Sequence, residues 1–267
     1  MTSRVLTPWL GRARRRKSVA ATGEDVAAGS TAVTRVLDHD STEVRALLAE
    51  CLASAPAADV TGVLRVAHAA IASRVRPVYA VDDLQAASRT LRLGRGSCSQ
   101  RLALLEAVAR SAGVPTRSRG LLLDGRFWYP RFPGLRGVVP DEVVLAWPEL
   151  RVDGTWLDLS AVLSGPGGSA GGDDGRPFTN AGEETLFEAV GRGGARWDEA
   201  PGSASDAHDE PHVGCDTCSL SRWVLAELGR YDTREELFAV HGQTLCWPAR
   251  TAAGPVLSRW SAGAAGP

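Results

Sequence analysis

The chain has 267 residues, of which 44% are hydrophobic and 23% charged, enough for one large packed domain or two small ones. A formal net charge of −1 gives no electrostatic reason to expect nucleic acid or an anionic membrane as partner. No apolar run approaches the length that spans a bilayer, and the five cysteines follow no secretory-type leader, so a reducing cytoplasm with free, catalytic or metal-bound thiols is expected.

Residues 1–30 carry no hydrophobic period and hold a basic cluster from Arg12 to Lys17, which reads as a disordered, solvated arm. Lys17 is the sole lysine, a bias toward arginine that fits a GC-rich genome and says nothing of function. Asp40 and Glu43 have the spacing of a capping box, and the face Val44, Leu47, Leu48, Cys51 and Leu52 predicts a helix that ends near Pro56. A second helix is predicted over 60–75, with Val60, Val63, Leu64, Ala67 and Ile71 inward and His68 as a half-buried packing residue at the border. Residues 81–93 lead to the next turn, with Asp82 or Asp83 available to cap a short helix.

The stretch from Gly94 to Arg117 organises the rest. A glycine turn delivers Ser97 as N-cap and Cys98 into the first turn of a helix whose stripe is Cys98, Leu102, Leu105, Ala109 and Ala112. Gly113 and Pro115 stop it. A thiol in that turn faces unpaired backbone amides and the positive end of the helix dipole, which favour thiolate. Position on the stripe alone also suits a small core residue.

After Arg117 the period changes to two. Leu121–Leu123 and 126–129 read as strands joined at Asp124-Gly125, and 143–152 and 155–159 as strands joined at Asp153-Gly154. Pro148 within the third run argues for an edge or a bulge. The aromatics Phe127, Trp128, Tyr129 and Phe132 suit sheet packing or the wall of an apolar acyl or peptide groove.

The run SRTLRLGRGSCSQRLALLEAVARSAGVPTRSRG resembles the nucleophile segment of the transglutaminase-like superfamily, and the likeness extends more weakly to Ser160. That resemblance implies an α+β, papain-like core in which the cysteine helix packs on an antiparallel sheet that supplies a His and then an Asp. It implies acyl transfer from amides or amide hydrolysis, with an acyl donor or peptide as partner and no required cofactor. The family's His-Ala-Trp-x-Glu appears here as Leu145-Ala146-Trp147-Pro148-Glu149, so leucine stands at the base. The acid position aligns with Ser160, and Asp158, two residues earlier, is expected to share its face.

Residues 31–163 are accordingly assigned to the core, 164–180 to a flexible Gly-rich linker and 181–267 to an extension that is a lid or a metal-stapled segment. Helices are expected over 220–230 and 233–240, and a short one over 183–190, with Asp232 and Glu235 as a second cap pair. His208, His212, Cys215 and Cys218 offer four ligands for a structural zinc, though not in a common finger spacing; a redox-active Cys215–Cys218 pair, or spare cysteines in a polar loop, are the other readings. His241, if the tail folds back over the cleft, is a candidate general base that would complete Cys98 and Asp158. Three functions remain open at this point: a thiol acyltransferase or amidase, a catalytically inactive peptide-binding or protein-binding relative, and a zinc-stapled interaction protein.

Overall fold

The computed structural model describes residues 27–55, 59–80, 82–132, 134, 136–164, 178–193, 197 and 220–244. Helix α1 (Thr42–Ser54) is capped by Ser41, whose hydroxyl accepts from the Val44 amide at 3.4 Å, so the cap lies one residue later than the Asp40 box suggests. Val44, Leu47 and Cys51 are buried as the stripe requires, whereas Leu52 stays exposed. Helix α2 (Val60–Arg74) begins at Asp59, which accepts from the Thr61 and Gly62 amides, and buries Val63, Leu64, Ala67 and Ile71. Strand β1 (Arg76–Pro77) pairs in parallel with β2 (Arg95–Gly96), enclosing helix α3 (Ala87–Leu93). No side chain caps α3; Asp82 accepts from the Leu84 amide within its own turn instead.

Helix α4 (Cys98–Ser111) runs through the middle of the molecule, with every residue from Gln100 to Arg110 buried. The sheet has the order β5-β4-β3-β6 and is antiparallel throughout, formed by β3 (Thr116–Asp124), β4 (Glu142–Val152), β5 (Thr155–Asp158) and β6 (Val224–Tyr231). Side chains alternate across it. Leu121, Leu123, Leu145 and Trp147 enter the main core, which also contains Leu47, Leu64, Ile71, Leu102 and Leu105 from the helices. Leu122, Val144 and Ala146 enter a second cluster with Leu237 and Phe238 of helix α7 (Arg234–His241). Short helices α5 (Leu159–Ser164) and α6 (Leu186–Gly191) complete the main layer against α2 and α4.

Three strand expectations are corrected. The chain after Asp124 turns into a 3-10 segment over Gly125–Arg131, with Asp124 accepting from the Arg126 amide. The close approach of Gly125 to the Pro140 carbonyl, where an added Cβ would sit 1.7 Å from the oxygen, closes that turn without a hairpin. The fourth strand is β6, drawn from 224–231, where a helix was expected; β3 offers its free edge there and laddering overrides a weak helical period. Pro148 sits in an interior strand. Val144 donates its amide to Thr244 at 3.2 Å, so even-numbered amides of β4 point away from β3. The missing amide of Pro148 therefore faces the side where β5 has already ended, its last pair being Glu149 with Asp158.

The described residues of the C-terminal extension are thus part of the same core. Helix α7 starts at Thr233, whose hydroxyl accepts from the Glu236 amide at 3.1 Å, one residue later than the expected Asp232 cap. Asp232 instead accepts from the Gly29 amide at 2.8 Å, and Ser30 exchanges backbone hydrogen bonds with Thr116. Gly29 and Ser30, inside the stretch assigned to the arm, are therefore held against the core. Among the described residues no helix is long and apolar enough to cross a membrane.

Glu106 of α4 ties these layers together. Its carboxylate accepts from Arg234 Nε at 2.8 Å and from Thr116 Oγ1 at 2.9 Å, with Arg110 at 3.8 Å, and all four side chains are buried. Removing one partner of a buried ion pair leaves the others desolvated without compensation. Glu106→Ala should therefore lower unfolding free energy by about 3–5 kcal/mol in urea titrations.

His68 packs as expected, its Nε2 2.7 Å from the Phe187 carbonyl and its ring stacked on Phe187 at 4.4 Å. Burial holds the imidazole below its usual value of 6.5, Arg101 adding to that and Glu188 and the Phe187 carbonyl opposing it. The unfolded chain thus binds a proton near pH 6.5 that the folded chain refuses until lower pH, so stability falls as pH drops below 6.5. His68→Gln, which keeps an N–H for the carbonyl, should flatten that acid limb in pH-dependent thermal melts.

Candidate active site

Each glycine of the turn before Cys98 has its own reason. Gly94 ends α3 in the left-handed region at φ 58°, where a side chain is strained. Gly96 lies so close to buried Thr90 that a Cβ would come within 2.8 Å of its methyl. The chain then extends through Ser97, whose hydroxyl accepts from the Gln100 amide at 3.3 Å while the Gln100 side chain accepts from the Ser97 amide at 3.1 Å. This capping box places Cys98 at the first position of α4, half-buried, as a free thiol at the rim of the main core.

Leu145 lies opposite Leu121 in the β3–β4 ladder and is 5% exposed. Burying a leucine side chain contributes roughly 1.5–3 kcal/mol. Position 145 is therefore a packing position in this chain.

Asp158 ends β5 and caps α5. Its Oδ1 accepts from the Ser160 amide at 2.8 Å and from the Ser160 hydroxyl, and its Oδ2 accepts from the indole N–H of Trp147. Burial pushes this carboxyl above the usual carboxylate range, against the opposing pull of Ser160, Trp147 and Arg119. Ser160, the residue aligned with the family's acid, has already entered the helix, so Asp158 and Ser160 do not share a strand face as expected. They bond to each other. Beside them Glu149 pairs with Arg117 at 2.6 Å and Arg230 at 3.0 Å, and Arg117 lies 4.1 Å over Trp156.

His241 does not meet Cys98 and Asp158. It is fully buried on α7, its Nε2 2.8 Å from the Tyr231 hydroxyl and 3.2 Å from the Leu228 carbonyl, on the face of the sheet opposite Leu145. The residues after it do reach the site. Gln243 accepts from the Asp83 amide at 3.1 Å, and Gln100, in the first turn of α4, donates to the Asp82 carbonyl at 2.9 Å. With Thr244 bonded to Val144, the tail folds back and links the nucleophile turn to the strand of Leu145. The other described histidines are engaged elsewhere, His39 with the Thr31 carbonyl and His68 with Phe187.

The expected zinc ligands His208, His212, Cys215 and Cys218 lie outside the described residues. Among the described residues no group of three His, Cys, Asp or Glu side chains is arranged to hold a metal ion.

Sequence reasoning missed Tyr79 and placed Arg131 only in the wall of a candidate acyl or peptide groove. Tyr79 is half-buried beside the nucleophile turn and packs on Phe132 with ring centroids 4.6 Å apart. Arg131 donates to Asn180 Oδ1 at 2.9 Å and to the Gly182 and Glu184 carbonyls, which locks the end of the 3-10 segment. The β1–β2 pairing that brings Tyr79 there spans only two residues, too short a ladder to leave a period in the sequence.

If Asp158 acts as a cap, Asp158→Ala should cost about 1–3 kcal/mol through the lost cap and the orphaned indole. The Ser160 amide should then exchange its hydrogen markedly faster than in the wild type.

No curated protein and no solved structure matches the chain. The sequence model of the transglutaminase-like superfamily core matches residues 48–161, a span that opens within α1, contains Cys98, Leu145 and Asp158, and closes as α5 begins. With the cysteine helix packed on an antiparallel sheet, residues 48–161 form a transglutaminase-like core.

Proposed function

We propose that the protein is a thiol acyltransferase or amidase in which Cys98 carries the acyl group. The observation that supports this is the half-exposed free thiol at the first position of a capped central helix, within the family-matched core. A helix N-terminus stabilises negative charge on the attacking sulfur. Cys98 Sγ attacks the carbonyl carbon of the donor, the leaving group departs, and an amine or water resolves the acyl-enzyme. Leucine at 145 accepts no proton, so donors whose leaving groups need none, thioesters and activated esters, are favoured over amides.

A second reading has its own support. Leu145 is a core residue and both oxygens of Asp158 are occupied by Trp147 and Ser160. A core built so can serve as a peptide-binding or protein-binding module without chemistry. The two readings separate on acylation. With p-nitrophenyl acetate, the wild type should release a burst of nitrophenol and gain one acetyl group on Cys98 by peptide mass mapping, and Cys98→Ala should do neither. An unmodified Cys98, or equal labelling of Cys98→Ala, favours the binding module.

A further inference from the structure

We propose that Gln243 is a positioning residue for Cys98 and acts on it through the Asp82–Asp83 peptide and Gln100, which rests on Cys98 being the reactive thiol of the reading above.

A continuous chain of amide groups joins the two. Gln243 Oε1 accepts from the Asp83 amide at 3.1 Å. The carbonyl of that same peptide unit, on Asp82, accepts from Gln100 Nε2 at 2.9 Å. At the other side of the Gln100 carboxamide, Oε1 accepts from the Ser97 amide at 3.1 Å. Neither glutamine can be turned round, because a backbone N–H only donates and a carbonyl only accepts. Both side chains are buried, and Gly96 packs directly on Gln100, where an added Cβ would lie 3.3 Å from Oε1.

Cys98 follows Ser97 in the chain, so its sulfur goes where that turn goes. The Gln100 amide on Ser97 Oγ and the Arg101 amide on the Ser97 carbonyl, at 2.9 Å, close the turn upon itself. Those bonds shape the turn but do not place it in the molecule. The bond from Gln100 Nε2 to Asp82 does, and Gln243 holds the far side of the peptide that receives it. Accepting from the Asp83 N–H also polarises that peptide and makes the Asp82 carbonyl a better acceptor for Gln100. Gln243 is itself fixed from both neighbours. The Gly242 amide closes α7 on the Phe238 carbonyl at 2.9 Å, and Thr244 accepts from the Val144 amide. The tail thus grips α4 twice, at Glu106 through Arg234 and at its first turn through Gln243. Attack on a carbonyl needs the sulfur aligned, so loosening this grip slows reaction at the thiol more than it weakens binding of the donor.

Gln243→Met keeps the length of the side chain and removes its carbonyl, whereas Gln243→Glu keeps an acceptor for Asp83. Gln100→Glu keeps the Ser97 cap and loses the donor to Asp82, so it breaks the same chain one link on should Gln243→Met not fold. Modification of Cys98 is followed with p-nitrophenyl acetate and with iodoacetamide, well below the melting temperature of each variant. Gln243→Met should slow both reactions about tenfold, with the half-saturating ester concentration within about twofold of the wild type. Gln243→Glu should react within about twofold of the wild type, and Gln100→Glu with Gln243→Met should be no slower than Gln100→Glu alone. A role confined to stability would move the melting temperatures and leave these rates unchanged. Wild-type rates in Gln243→Met or in Gln100→Glu, slow reaction in Gln243→Glu, or losses at the two positions that multiply overturn the role of Gln243 and leave the acyl-enzyme reading standing. If the ester does not acylate wild-type Cys98, the acyl-enzyme reading falls and the iodoacetamide rates decide the positioning role. A thiol that neither reagent modifies ends both.

Discussion

A single carboxylate in the centre of the molecule constrains most of what surrounds it. Glu106 sits on the middle turns of the cysteine helix and receives Arg234 from the last helix and Thr116 from the first residue of the central strand. Arg110 extends the same network to the Ala32 carbonyl near the start of the described chain and to the Asp232 carbonyl. Charged groups this deep are tolerated only when their partners are held in place, so the network demands one relative placement of α4, β3 and α7. The position of the Cys98 end of the helix follows from that placement.

Around this centre the side chains of β4 and β5 are engaged in packing and capping. Leucine at 145 joins the apolar layer with Leu121, Leu123 and Trp147. The buried carboxylate of Asp158 finds donors on Trp147 and Ser160 and stops the strand by capping α5. A buried carboxylate needs hydrogen-bond donors wherever it lies, and the nearest set decides its orientation. On the Cys98 side, glycine turn, capping box and half-exposed thiol stand together.

The tail has two functions in the fold. Strand β6 occupies the edge of β3 that would otherwise be open, and α7 covers the face of Leu122 and Ala146. Beyond α7, Gln243 and Thr244 join the loop before the nucleophile turn to the strand of Leu145. His241, which the order of the chain made attractive as a base, is the buried joint between these tasks and hydrogen-bonds with Tyr231.

What could be read from the sequence is whatever is encoded within a few residues of itself. The stripe of α4, the Ser97 cap, the stop at Gly113, the faces of α1 and α2 and the Asp153-Gly154 hairpin rest on short-range spacing and backbone sterics, and they identified the family as well. The misplaced caps at Asp40 and Asp232 are one-residue errors of the same local kind. Tertiary structure alone decided that 224–231 is a strand, that Gly125 opens a 3-10 turn, that Asp158 faces Trp147, that His241 lies across the sheet, and that β1 pairs beside the turn before Cys98. Each of these depends on a partner far away in the chain: an open strand edge, the Pro140 carbonyl, an indole, the opposite layer, a two-residue parallel ladder. Such partners exist only after the chain has closed on itself, so no local pattern records them.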